Sequence, residues 1–375
     1  MAKVKHIFKK LISDPVLIVA WVLAVISAFF VKPDKEYFGY IDWRSLGILW
    51  GLMVIIQGFK ENSVFEKIAG VMLNKVKKGW QLSMILVLMC FFGSMLITND
   101  VALITFVPFA IMILHECNRE RSMIPVIVLQ TVAANLGSML TPIGNPQNLY
   151  MYGLTGMDIK SFVMLFLPSA ALSLIMLIIG VMLVPGFSET MKVGGDFAAI
   201  KNFGSKWQVI VYCVLFVTAL CSVLRIIPWY IMAIAILLVV FFMDYKILFR
   251  ADYILLLTFI GFFVFTGNMG RIPAVKEFLG NIISGNEFGV SIIASQVISN
   301  VPATLMLSGF TTNYKDLMLG VNVGGLGTLI ASMASLISYK AYTGSYKENR
   351  GKYLLSFTAV NVVFLTALIA LHFWT

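Results

Sequence analysis

Hydrophobic residues run along this chain in long blocks. They show neither the strict alternation of a half-buried strand nor the one-sided stripe of a soluble helix. Blocks long enough to cross about 30 Å of hydrocarbon cover residues 15–31, 42–58, 122–153, 161–185, 206–226, 228–243, 250–267, 315–339 and 353–373. Two further blocks fit a single crossing poorly. The run from Trp80 to Leu114 holds one charged residue, Asp100; it is too long for one crossing and short for two plus a turn. Residues 288–314 carry no charge and are broken by Ser299-Asn300-Val301-Pro302-Ala303. Each block, 80–114 and 288–314, predicts a re-entrant hairpin that enters half way and returns, a path tolerated only where the backbone lines a protein cavity. The pattern therefore predicts an all-α polytopic membrane protein of about nine spans plus two hairpins. Amphipathic segments, 61–78 and 271–284, precede the hairpins.

Composition agrees. The chain is 59% hydrophobic and 12% charged, where a soluble domain carries about 25% charged residues. The blocks are far too long for the strands of a membrane barrel. Cys90, Cys117, Cys213 and Cys221 lie in or beside apolar runs and form no C-x-x-C, so they read as reduced packing residues. The basic head and apolar run at the N-terminus, without a clear cleavage site, read as a retained first helix. The net charge of +10 is distributed for membrane orientation, not for nucleic acid. With a cytoplasmic N-terminus and both hairpins returning to their own side, most of the 28 Lys and Arg fall inside, in clusters such as Lys3–Lys10 and Lys340–Lys352. Full crossings would move some of them out, so the positive-inside rule favours the hairpins and an external C-terminus. The expected location is the plasma membrane of a prokaryote.

The two hairpin tips resemble each other. Thr98-Asn99-Asp100-Val101-Ala102 and Ser299-Asn300-Val301-Pro302-Ala303 each place a hydroxyl, then Asn, then Ala three residues on. Downstream, Asn135, Gly137 and Thr141 recur with the same spacing as Asn322, Gly324 and Thr328. The repeats read as 1–185 and 228–375, with a linker at 186–227 carrying one extra span. That odd span makes the second repeat start on the opposite side, an inverted-topology repeat of the kind from which many secondary transporters are built.

The stretches "TPIGNPQN" and "GGLGT" interrupt the spans 122–153 and 315–339, because Pro removes a backbone donor and Gly lets backbone approach a ligand. Half-helix N-termini suit anions; unwound carbonyls, amides and hydroxyls suit Na⁺. The candidate binding residues are Thr98, Asn99, Asp100, Asn135, Gly137, Ser138, Thr141, Gly144, Asn145, Asn148, Ser299, Asn300, Pro302, Asn322, Gly324, Gly325, Gly327 and Thr328, with Na⁺ near Asn99 and Asn300. Close helix packing is the competing reading of the glycines. An ionisable residue inside the membrane is a functional candidate by default, so Asp100 is the candidate coupling group, for protons or Na⁺; it also suits a helix cap.

At these residues the sequence resembles the ion transporter superfamily, which includes arsenite permeases, Na⁺/H⁺ antiporters, metal–citrate permeases and divalent-anion/sodium symporters. The resemblance covers essentially the whole chain. The divalent-anion symporters carry Ser-Asn-Thr at both tips, which implies that Thr98, Asn99, Ser299 and Asn300 face Na⁺ and substrate. This chain departs from that pattern with Asp100 and Val301 at the third position. The resemblance also implies a homodimer and elevator-type movement.

Without a G-x-x-x-x-G-K-[ST] loop, energy must come from an ion gradient or a partner subunit. The expected function is ion-coupled secondary transport of a small anion, a carboxylate or inorganic oxyanion, driven by Na⁺ or H⁺. The alternatives are an arsenite or antimonite efflux permease, with an ATPase subunit as partner, and a Na⁺/H⁺ antiporter. An intramembrane enzyme is disfavoured: none of the three His lies at mid-membrane and no membrane carboxylates are paired.

Overall fold

A computed structural model describes residues 14–73, 76–190 and 204–374. The basic head at 1–13, residues 74 and 75 of the first amphipathic segment, and residues 191–203 of the linker lie outside them. Among the described residues all regular structure is helical. Eight helices among the described residues are long and apolar enough to cross a membrane, and the chain is an all-α polytopic membrane protein.

The first half runs α1 (Pro15–Phe30), α2 (Trp43–Glu61), α3 (Val64–Leu73), α4 (Gly79–Ile97), α5 (Asn99–Glu116), α6 (Glu120–Gly137), a 3-10 turn at Ser138–Leu140, α7 (Pro146–Thr155) and α8 (Ile159–Met182). α9 (Lys206–Val223) follows. The second half runs α10 (Trp229–Leu248), α11 (Tyr253–Gly270), α12 (Pro273–Ile283), α13 (Glu287–Ile298), α14 (Asn300–Leu307), α15 (Tyr314–Val323), α16 (Met333–Ser345) and α17 (Arg350–Trp374). Both halves order their elements alike: two long helices, a short amphipathic helix, two helices joined by one residue, an interrupted helix, and a long helix.

The structure divides into two compact units whose boundaries fall inside α2, α9 and α15. Unit 1 holds the described residues up to Gln57 and Leu215–Val321. In it α1 packs along α11; the Trp21 indole donates to Leu257 O (3.1 Å), and Asn268 Nδ2 donates to Ser27 Oγ (2.9 Å) and Tyr37 OH (2.8 Å). The arms α13 and α14 are 12 and 8 residues long, about 18 and 12 Å at 1.5 Å per residue. Their feet meet: Thr311 Oγ1 donates to the buried Glu287 carboxylate at 2.9 Å.

Unit 2 holds Gly58–Val214 and the chain from Asn322 onward. α6 is its axis, buried over nearly its whole length, with α4, α5, α8, α16 and α17 packed around it. The arms α4 and α5 are 19 and 18 residues long. At about 28 and 27 Å each is long and apolar enough for a crossing. Thr98 alone joins the arms, leaving almost the whole run for helix. The arms still return to one end. Gly79 N donates to Glu189 O (3.0 Å), while Arg119, just past α5, donates to Gly186 O (3.0 Å) and pairs with Glu189 (2.9 Å). Apolar side chains on α8 and α17, among them Ile175, Met182, Leu355 and Val363, stay exposed, as lipid-facing surfaces require.

Candidate functional site

Thr98 and Ser299 sit between helices with φ of 69° and 74° and ψ of 152° and 153°. Glycine visits this region freely; other residues do so at a cost of about 1–3 kcal/mol, concentrated at functional positions. Each is followed by an Asn that opens the next helix and accepts from the amide after it: Asn99 Oδ1 from Asp100 N (3.0 Å), Asn300 Oδ1 from Val301 N (2.9 Å). The two tips therefore have one backbone geometry on two different sequences.

In unit 2 the first tip opens onto a buried network of neutral amides and hydroxyls. Asn99 N donates to Gly144 O (3.0 Å), and Asn99 Nδ2 donates to Asn135 Oδ1 (3.1 Å). Asn135 Oδ1 also accepts from Ser332 Oγ (2.9 Å), and its Nδ2 donates to Ser335 Oγ (3.2 Å). Ser138 Oγ donates to Asn135 O (2.9 Å) and accepts from Asn145 Nδ2 (3.2 Å). Asn145 Nδ2 also donates to Asn322 Oδ1 (3.0 Å), and Asn322 Nδ2 donates to Asn148 Oδ1 (2.8 Å). All eight residues are buried. The network spans both helix interruptions, and the exchange is reciprocal: Asn135 ahead of the first break bonds to serines after the second, and Asn322 ahead of the second bonds to asparagines after the first.

Local rules explain the breaks. Pro146 opens α7, while Asn145 caps it by accepting from Asn148 N (2.9 Å). A Cβ on Gly144 would lie 2.0 Å from Ser138 O, and one on Gly137 would lie 2.1 Å from Phe91 O; both glycines serve close backbone packing. In the second break Gly324 and Gly325 are buried, Gly325 N turns back to Asn322 O (3.3 Å), and Gly327 holds φ of 106°.

Of the sequence-selected residues, unit 2 gathers Asn99, Asn135, Ser138, Asn145, Asn148 and Asn322. Asp100, half-buried, stands in the first turn of α5, where a carboxylate is favoured by the helix dipole. Thr141 donates to Met95 O, a structural bond. Thr328 is exposed, its hydroxyl accepting from Ala331 N at 3.2 Å. Ser299, Asn300 and Pro302 are buried in unit 1. Sequence reasoning missed Ser332 and Ser335. The repeat register held the signal, since they stand to Asn322 as Asn145 and Asn148 stand to Asn135. Among the described residues no group of three His, Cys, Asp or Glu gathers for a metal. The buried charged side chains there are Arg119 and Glu287, neither bonded into the network. The site can thus hold an oxygen-rich solute or a dehydrated cation through neutral dipoles.

Residues 6–315 match the family model described as "Citrate transporter" (CitMHS). An uncharacterized transporter of Methanocaldococcus jannaschii, MJ0456, is 32% identical over 302 residues, 80% of this chain and 81% of that protein. The inner membrane protein YbiR of Escherichia coli K12 is 32% identical over 315 residues, 82% of each. The silicon efflux transporter LSI3 of Oryza sativa subsp. japonica is 28% identical over 141 residues, 38% of this chain and 29% of that protein.

Proposed function

This chain belongs to the citrate transporter family and is a membrane transporter, and we propose that it moves a small anion, a carboxylate or inorganic oxyanion, by ion-coupled secondary transport. The observation that carries the proposal is the buried amide–hydroxyl network joining a strained hairpin tip to both helix breaks. Asp100 is the coupling group, one residue beyond Asn99. It takes a proton, or it supplies negative charge to Na⁺ held with the Asn99 amide oxygen. A homodimer belongs to the same proposal.

The test is uptake into proteoliposomes under separately imposed Na⁺ and pH gradients, with citrate, smaller carboxylates, inorganic oxyanions, arsenite and silicic acid offered in turn. Asp100→Asn is expected to lower gradient-driven accumulation by tenfold or more, within the usual roughly 5–150-fold range of coupling, while substrate exchange across the membrane continues. Undiminished accumulation in the variant would leave Asp100 as a helix cap.

A second reading has its own support. A buried network of amides and hydroxyls suits an uncharged oxyacid as well as an anion, and a relative named as a silicon efflux transporter fits this. Under this reading, transport rises as pH falls below the pKa of the acid offered, and an ATPase subunit becomes a candidate partner.

A further inference from the structure

Away from the network, a groove of about 480 Å³ opens between α3 and α4. Val71 and Met72 of α3, Val76, and Trp80, Met84 and Ile85 of α4 line it. Gln81 is its polar lining residue, and its Oε1 already accepts from Lys77 N (2.8 Å) and Lys78 N (3.0 Å). The groove is therefore apolar. It continues onto the exposed apolar face of α3, where Ile68, Val71 and Met72 are uncovered. Lys77 and Lys78, both exposed, lie in the chain between its lining residues Val76 and Trp80. The carboxylate carried by the strand of chain joined to Gly79, that of Glu189, is engaged by Arg119 at 2.9 Å.

We propose that this groove is a binding site for an anionic phospholipid. One acyl chain lies along Val71, Met84 and Ile85, and the headgroup phosphate meets Lys77 and Lys78. Three features favour this occupant over another protein. An amphipathic helix followed by paired lysines is the arrangement that holds anionic lipid at a membrane surface. Trp80, which lines the groove, has the amphipathic ring that settles at headgroup level. The chain belongs in the bilayer, so lipid is present to occupy an apolar groove.

Native mass spectrometry of the full-length protein in neutral detergent tests the proposal. The probes are phosphatidylglycerol and phosphatidylcholine with identical chains, and glycerol 3-phosphate as a headgroup without a tail. Phosphatidylglycerol is expected to bind roughly fivefold more tightly for each lysine engaged, and glycerol 3-phosphate not to bind. Lys77→Gln with Lys78→Gln, both exposed and harmless to packing, should bring the two lipids to equal affinity at an unchanged unfolding temperature. Ile85→Trp should weaken both lipids, and Val71→Glu, on the exposed face, should do so without touching the core. Equal binding of the two lipids to the unaltered protein, a preference that survives the double lysine change, or binding of glycerol 3-phosphate alone would overturn the proposal. So would a groove variant that changes the protein's oligomeric state but not its lipid binding.

Discussion

Thr98 holds a backbone conformation that a glycine would adopt without strain, and the chain nonetheless places a threonine there, as it places a serine at the matching Ser299. Thr98→Gly is expected to raise the unfolding temperature in detergent, since about 1–3 kcal/mol of strain is relieved, and to lower transport, since the tip is no longer held to one geometry. A stabilised variant with full transport would show the strain to be incidental. Asn135 is the other pivotal residue. Asn135→Ala deprives Asn99 and Ser332 of their acceptor and Ser335 of its donor. The unfolding temperature should fall by the equivalent of about 1–3 kcal/mol for buried groups left unpaired, with transport lost. The tip asparagines were legible in the sequence because a polar pair in an apolar run stands out. Ser332 and Ser335 were not, because small hydroxyls after a glycine turn look like ordinary helix packing until Asn135, far away in the chain, is placed beside them.

At the scale of elements, the hydrophobic blocks gave the helices well, and the ends came from chemistry. α10 departs from helical geometry at Asp244, where the apolar block stops at 243. In the first hairpin the turn takes a single residue, Thr98, so nearly the whole run from Gly79 to Glu116 is helix. Outside the membrane, the end of α11 is tied to the loop after α1: Arg271 donates to Asp34 (2.7 Å) and to Tyr40 OH (3.0 Å). The hydrogen bond from Arg271 holds the Asp34 carboxyl below its ordinary value, against a smaller opposing effect of burial. A lowered folded value means that the contribution to stability is present above the unfolded pKa of about 3.9 and is lost as pH falls through the folded value. Arg271→Gln should therefore lower the unfolding temperature at pH 7, and the difference from the unaltered protein should shrink towards pH 3; a gap constant with pH would assign Arg271 a packing role instead.

At the scale of the whole molecule, the order of elements in the two halves and the placement of the basic clusters make one topological statement. In a cysteine-free background, Lys35→Cys should react with a membrane-impermeant maleimide in intact cells, and Lys347→Cys only after permeabilisation. Labelling of both from one side would overturn the assigned crossings. The reciprocal bonding of the two breaks has a further consequence, for biosynthesis. Asn135 and its partner Ser335 are separated by 200 residues, about 10–40 s of translation at 5–20 residues per second. Through that interval the first interrupted helix is already made while the hydroxyls that complete its polar groups do not yet exist. The first half of this protein must wait, inserted but unfinished, for the second half to be synthesised, and a ribosome that stalls before Ser332 leaves behind a chain with its amides open for rescue or degradation.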